Sequence, residues 1–118
     1  MNADNLTNAL HQFTGTEHLY RYMFGLNLTD GAKFLAEKAS CYWLFDIIAS
    51  YQMKTRRDPM LREMQFWTLK VKDGKGVVTC ERDAGDVAIK QKIDFTDFPL
   101  SEIKIYVANN VVMLPSEY

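Results

Sequence analysis

The spacing of apolar residues divides the chain into a helical first half and a β-rich second half. From Leu28 to Tyr51 the pattern starts amphipathic, with Lys33, Glu37 and Lys38 on a polar face. It ends apolar on nearly every side through Tyr42, Trp43, Leu44, Phe45, Ile47 and Ile48, which predicts one long helix whose second half is covered by other elements. Thr29 and Asp30 are both suitable N-caps, and Asp30 places negative charge at the positive end of the helix dipole. Upstream, Leu6, Leu10 and Phe13 at helical spacing predict a short helix capped by Asn5 or Thr7 and ended by Thr14-Gly15-Thr16. Glu17 to Phe24 alternates loosely and reads as a strand. Pro59 disfavours helix at Asp58, so the long helix stops before it.

Beyond Met64 the period becomes two. Trp67, Leu69 and Val71 alternate with Thr68, Lys70 and Lys72, and Asp73-Gly74-Lys75-Gly76 supplies a hairpin loop into Val77 to Arg82. A turn at Asp83 to Asp86 leads to a strand in which Val87, Ile89, Ile93 and Phe95 share a face. Asp97-Phe98-Pro99 breaks the pattern, and Ile103, Ile105 and Val107 define the next strand. Asn109-Asn110, which tolerate positive φ, turn the chain into Val111 to Leu114 before Pro115. The expected fold is a single α+β domain over residues 1–118. An antiparallel sheet of about four to six strands packs on one long helix, with a short N-terminal helix.

Phe66 and Trp67 are adjacent and face opposite sides of their strand, so both sheet faces carry large apolar groups. One helix covers only one face, leaving the other to a second helix, a ligand or another subunit. Val111 to Leu114 reads as an apolar, nearly chargeless edge strand, and such edges tend to be paired, which points to a homodimer.

Charge narrows the function classes. Fourteen basic against fifteen acidic residues give a formal charge of −1, and the first 59 residues carry six of each. That balance argues against a dedicated nucleic-acid surface, although it leaves room for a small basic patch. No apolar window reaches the ~18 residues of a membrane span, and the first residues lack a basic start followed by an apolar stretch, so the protein is expected to be cytoplasmic. Cys41 and Cys80 read as reduced, packed thiols. With two histidines and no CxxC pair, no zinc site or cofactor is expected.

Asp46 stands in an apolar helical run, where a carboxylate must be paired, hydrogen-bonded or at a cavity; the plain alternative is that it meets water or an arginine. His18, Tyr20 and Tyr22 would share a strand face, suited to ligand stacking or equally to a half-exposed sheet face. Lys54, Arg56, Arg57 and Arg62 could grip phosphates, but Asp58 and Glu63 offset them and a solvated connector is the simpler reading. The Gly74-Lys75-Gly76 run is a hairpin and not a phosphate loop. No serine or cysteine sits in a nucleophile motif.

The words TDGAKFLAEKASCYWLFDIIASYQ, QFWTLKV, FTDFPLSEIKIYV and LPSEY resemble an uncharacterised family of short bacterial proteins encoded on mobile elements such as plasmids, phages and integron gene cassettes. The resemblance spans Leu6 to Tyr118 and implies an accessory protein without an assigned activity. It draws attention to Thr29, Asp30, Tyr42, Trp43, Asp46, Thr96, Asp97, Glu117 and Tyr118. Caps and packing account for most of these, but Glu117 and Tyr118 end a chain that would fray unless docked.

The expected function is a non-enzymatic binding module for a protein or small ligand, homo-oligomeric, with no catalytic set and no metal. Its candidate contact residues are His18, Tyr20, Tyr22, Asp30, Trp43, Asp46, Glu117 and Tyr118. The alternative is a small hydrolase or isomerase using Asp46, Asp30 or His18 as acid or base in a helix-sheet cavity.

Overall fold

The computed structural model describes residues 2–118. Helix α1, Ala3–Leu10, is capped by the Asn2 side chain, which accepts from the Asn5 amide, and it buries Leu6 and Leu10. Strand β1, Leu19–Arg21, precedes a 3₁₀ turn at Met23–Gly25, and β2 follows at Asn27–Thr29. The strand expected over Glu17 to Phe24 is thus three residues long and ends at Arg21, ahead of the 3₁₀ turn in which Phe24 takes a positive φ of 56°.

The long helix expected from Leu28 to Tyr51 is broken. Helix α2 spans Asp30–Lys38 and α3 spans Tyr42–Ser50. Between them Ser40 adopts φ 51°, its amide bonds to the Glu37 carbonyl, and the Cys41 amide reaches back to Ala36 at 2.9 Å. These two reversed bonds form a Schellman ending, which consumes the last carbonyls of α2 and lets α3 start in a new direction. Two short helices follow, α4 at Gln52–Thr55 and α5 at Pro59–Glu63. Asp58 caps α5 by accepting from the amides of Met60 and Leu61, and Pro59 occupies the first turn, where its missing N–H costs nothing. The proline that stops one helix therefore starts another.

The sheet has seven strands instead of about four to six, in the order β1-β2-β7-β6-β3-β4-β5. The last five are β3 Met64–Lys72, β4 Lys75–Glu81, β5 Val87–Ile93, β6 Glu102–Ala108 and β7 Val111–Met113. The sheet is mixed, because β2 pairs with β7 in parallel while the other neighbours are antiparallel. Val111–Met113 is accordingly no edge; β2 and β6 flank it, and the homodimer argument drawn from it falls away. The two tight hairpins turn on Asp73-Gly74 and Asn109-Asn110, all four residues at positive φ, as type I′ geometry requires.

The register sorts side chains into two faces. Trp67 lies opposite Cys80 and Ile105, and Leu69 opposite Val78 and Ile103; this face is buried under the helices with Leu35, Leu44, Phe45 and Ile48. The opposite parity, Phe66, Thr68, Lys70 and Lys72 on β3, is partly or fully exposed. Within the core, Gln52, Thr55 and Gln65 form a polar island. The two glutamine amides bond reciprocally at 3.0 Å in each direction, Thr55 joins them, and Trp67 Nε1 donates to Gln65 Oε1 at 2.8 Å. No helix among the described residues is long and apolar enough to cross a membrane.

Candidate functional site

Five of the eight candidate residues gather in one strip along β1 and the exposed flanks of α2 and α3. Asp30 is its anchor: its carboxylate accepts from the Glu17 amide at 2.9 Å and from the Tyr20 hydroxyl at 3.0 Å, while His18 Nδ1 lies 3.9 Å away. The Glu17 amide bond above all holds the Asp30 carboxyl below the usual carboxylate range, and the carboxylate in turn raises the Tyr20 phenol. Lys33 Nζ sits 4.3 Å above the Tyr20 ring and 3.5 Å from Glu37. Glu37 accepts from Tyr42 at 3.4 Å, and Tyr42 stacks on Tyr22 with ring centres 6.2 Å apart. Tyr22 closes the series by donating to Asp46. Partial burial, then that bond, raises the Tyr22 phenol well above its ordinary value.

Asp46 is therefore exposed and hydrogen-bonded, the plainer of its two readings. Asp30, Lys33, Glu37 and Asp46 are each engaged by a neighbour, and the strip is a ridge of packed rings. Trp43 is not part of it; half-buried, it packs against the core from α3.

Glu117 and Tyr118 lie elsewhere and do different work. Glu117 folds back onto the start of α2, accepting from the Thr29 hydroxyl at 2.7 Å, the Gly31 amide at 3.1 Å and the Leu114 amide at 2.9 Å. A side chain at position 31 would place its Cβ 2.5 Å from that carboxylate, so glycine is needed for the close approach. The tail is docked by a helix cap. Tyr118 remains 77% exposed, edge-on to Tyr106 at 5.9 Å.

The sheet face carrying Tyr106 is the second face, which sequence reasoning left to a second helix, a ligand or another subunit without singling out its lysines. Its rings are Phe66, Tyr106 and Tyr118, with Phe66 edge-on to Tyr106 at 5.2 Å. The same face carries Lys70, Lys72, Lys75, Lys90, Lys92 and Lys104, all exposed; Lys104 stands beside Tyr106, and the other five lie further along the strands towards the Asp73-Gly74 hairpin and on β5. They are six of the nine lysines in the chain, against only Glu81 and Glu102 from the same face. A shallow hollow of about 250 Å³ has Phe66 and Tyr106 as its aromatic walls and Thr68, Glu81, Asp83 and Lys104 as polar lining. A second, of about 440 Å³, is lined by Lys70, Lys72 and Lys75 with Val77 and Glu102. A third, of about 400 Å³, lies between α1 and the start of β6, lined mainly by Leu10, Leu100, Ile103 and Leu114. Asp30, Asp46 and His18 line none of these three.

The basic connector is spent differently. Arg56 bonds to the Phe24 carbonyl and to Asn110, so it ties the helical layer to two turns. Cys41 and Cys80 are buried and unbridged, and burial pushes both thiols up to about 12. A model described as a family of unknown function (DUF6876) matches residues 4–118. No curated protein and no solved structure matches the chain.

Proposed function

The chain belongs to this family of unknown function, and on geometry we propose that it is a non-enzymatic accessory binding module whose contact surface is the lysine-rich sheet face. The observation that supports the reading is the pairing, on that one face, of three aromatic rings with six exposed lysines and two hollows. Helices cover the other face and leave this one to solvent. The reading includes the cytoplasmic, accessory role implied by the resemblance to short bacterial proteins of mobile elements. Self-association belongs to the other end of the sheet, where Leu19, Met23 and Phe24 at the β1 edge are each about half exposed. The six lysines would repel a second copy set face to face.

The acid-base alternative needs Asp30, Asp46 or His18 in a cavity, and none of the three lines any of the hollows described above, with the His18 side chain 69% exposed.

Lysine footprinting tests the contact surface. Acetylation followed by mass spectrometry is expected to be several-fold slower at Lys70, Lys72 and Lys104 in lysate of the native host than in the purified protein, with Lys33 and Lys54 unchanged. Equal rates at all five would overturn the assignment.

A further inference from the structure

Resting on the reading of the lysine-rich face as the contact surface, we infer that its occupant is single-stranded nucleic acid, with phosphates along the lysine rows and bases on the Phe66, Tyr106 and Tyr118 rings.

The argument begins with charge placement. A net charge of −1 hides a strongly asymmetric molecule, because strand positions of this face hold six lysines and two glutamates. Lys70 and Lys72 follow each other along β3, and Lys75 lies opposite Lys72 across the hairpin. Lys90 and Lys92 on β5 face Thr79 and Val77 of β4, and Lys104 on β6 faces Thr68. Alternate residues of a strand lie ~6.6 Å apart and neighbouring strands ~4.8 Å apart, so the ammonium groups form a two-dimensional array. Lysines on an edge strand such as β5 also deter aberrant pairing, but Lys70, Lys72 and Lys104 lie on interior strands, where that purpose is absent.

The rings select among anionic partners. An acidic peptide or an anionic membrane would need the lysines alone, whereas single-stranded nucleic acid combines phosphates with flat bases that stack on exposed aromatic rings. Phe66 and Tyr106 wall a hollow whose Thr68 hydroxyl and Lys104 ammonium offer donors, and whose Glu81 and Asp83 carboxylates offer acceptors, to a base edge, while the phosphates follow the lysine rows outside it. Tyr118, held in place by the docking of Glu117, extends the platform beyond the strands. A duplex is disfavoured, because its major groove admits a helix or a two-stranded ribbon, and here the charged surface spans β6, β3, β4 and β5.

Binding is read by fluorescence anisotropy with fluorescein-labelled twelve-nucleotide dT and U oligomers. If four lysines are engaged, affinity falls about 50-fold between 50 and 200 mM salt, from a slope of about −0.7 per neutralised phosphate. The variant Lys70→Gln/Lys104→Gln reduces that ratio to about sevenfold. Tyr118→Ala, at an exposed position, weakens binding about tenfold with little change in the salt dependence. Arg57→Gln/Arg62→Gln, on the helical layer, binds as the parent does. Absence of binding to both oligomers at 50 mM salt overturns the nucleic-acid assignment, whereas the footprinting result above stands or falls by itself. Polyglutamate competing as well as the oligomers, or Tyr118→Ala binding unchanged, also overturns it, in favour of an acidic protein partner. Binding that depends on Arg57 and Arg62 but not on Lys70 and Lys104 overturns the face itself.

Discussion

Replacing Gln65 by leucine strikes the one buried polar network among the described residues that spans helix and sheet. Gln65 is 3% exposed, Trp67 1%, and Gln52 and Thr55 are fully buried. Leucine nearly preserves volume but deletes four hydrogen bonds: the two reciprocal amide bonds to Gln52, the one to Thr55 and the one from Trp67 Nε1. Gln52 keeps the Ile48 carbonyl and the Thr55 hydroxyl. Trp67 Nε1 keeps nothing, and a stranded buried donor costs ~1–3 kcal/mol. Adding ~1 kcal/mol for the weakened Gln52 and Thr55 groups gives a loss of about 3 kcal/mol. For a chain of this size that is roughly 10 °C in melting temperature.

Urea unfolding followed by circular dichroism measures the loss, and the slope of the transition should not change. The decisive comparison is a cycle with Trp67→Phe, which removes the stranded N–H. In that background Gln65→Leu should cost ~1–2 kcal/mol less than in the parent. A cost below about 1 kcal/mol in the parent, or no coupling in the cycle, would show that the network is not stabilising as described.

Three further outcomes follow from local geometry. Ser40→Gly relieves a left-handed residue at the end of α2 (φ 51°), so it should raise stability by ~0.5–1 kcal/mol in the same urea assay, and a fall would contradict the Schellman ending. Glu117→Ala frees the α2 amide end and the chain terminus, costing ~1–2 kcal/mol and accelerating amide exchange at Gly31 and Leu114; unchanged exchange would contradict the clamp. Asp30 has a lowered folded-state pKa, so its stabilisation is complete above the ordinary carboxylate range and disappears as pH falls through the folded value. The stability gap between the parent and Asp30→Asn should thus be constant at neutral pH and close in acid, and a gap that widens in acid would refute the assignment.

Much of the strand pattern was legible because period-two alternation and the Asp73-Gly74 and Asn109-Asn110 turns act locally. The break in the helix was not, since Ala39-Ser40-Cys41 contains neither glycine nor proline and the ending is made by backbone bonds to Ala36 and Glu37. Strand β2 escaped because three residues show no period and its parallel partner is over eighty residues away. That pairing is also what turns Val111–Met113 from an expected edge into an interior strand. Among site residues, His18, Tyr20 and Tyr22 were expected on one strand face, but β1 holds only Tyr20 of the three, and their junction with Asp30 and Asp46 depends on how α2 and α3 pack beside β1. The lysine face was hidden for a different reason. Composition sums charge over the whole chain, whereas the register of β6, β3, β4 and β5 collects lysines from positions 70 to 104 onto one side.

The central claim, that this side is the contact surface and single-stranded nucleic acid its occupant, is tested most directly by mapping amide chemical shifts in a ¹⁵N spectrum as the dT oligomer is added. The account predicts shifts concentrated at Phe66 to Lys72, Lys75 to Glu81, Lys90 to Lys92, Glu102 to Tyr106 and Tyr118, with α2 and α3 silent. Shifts centred on α2, α3 or the Lys54 to Arg62 connector, with the strands unmoved, would contradict it.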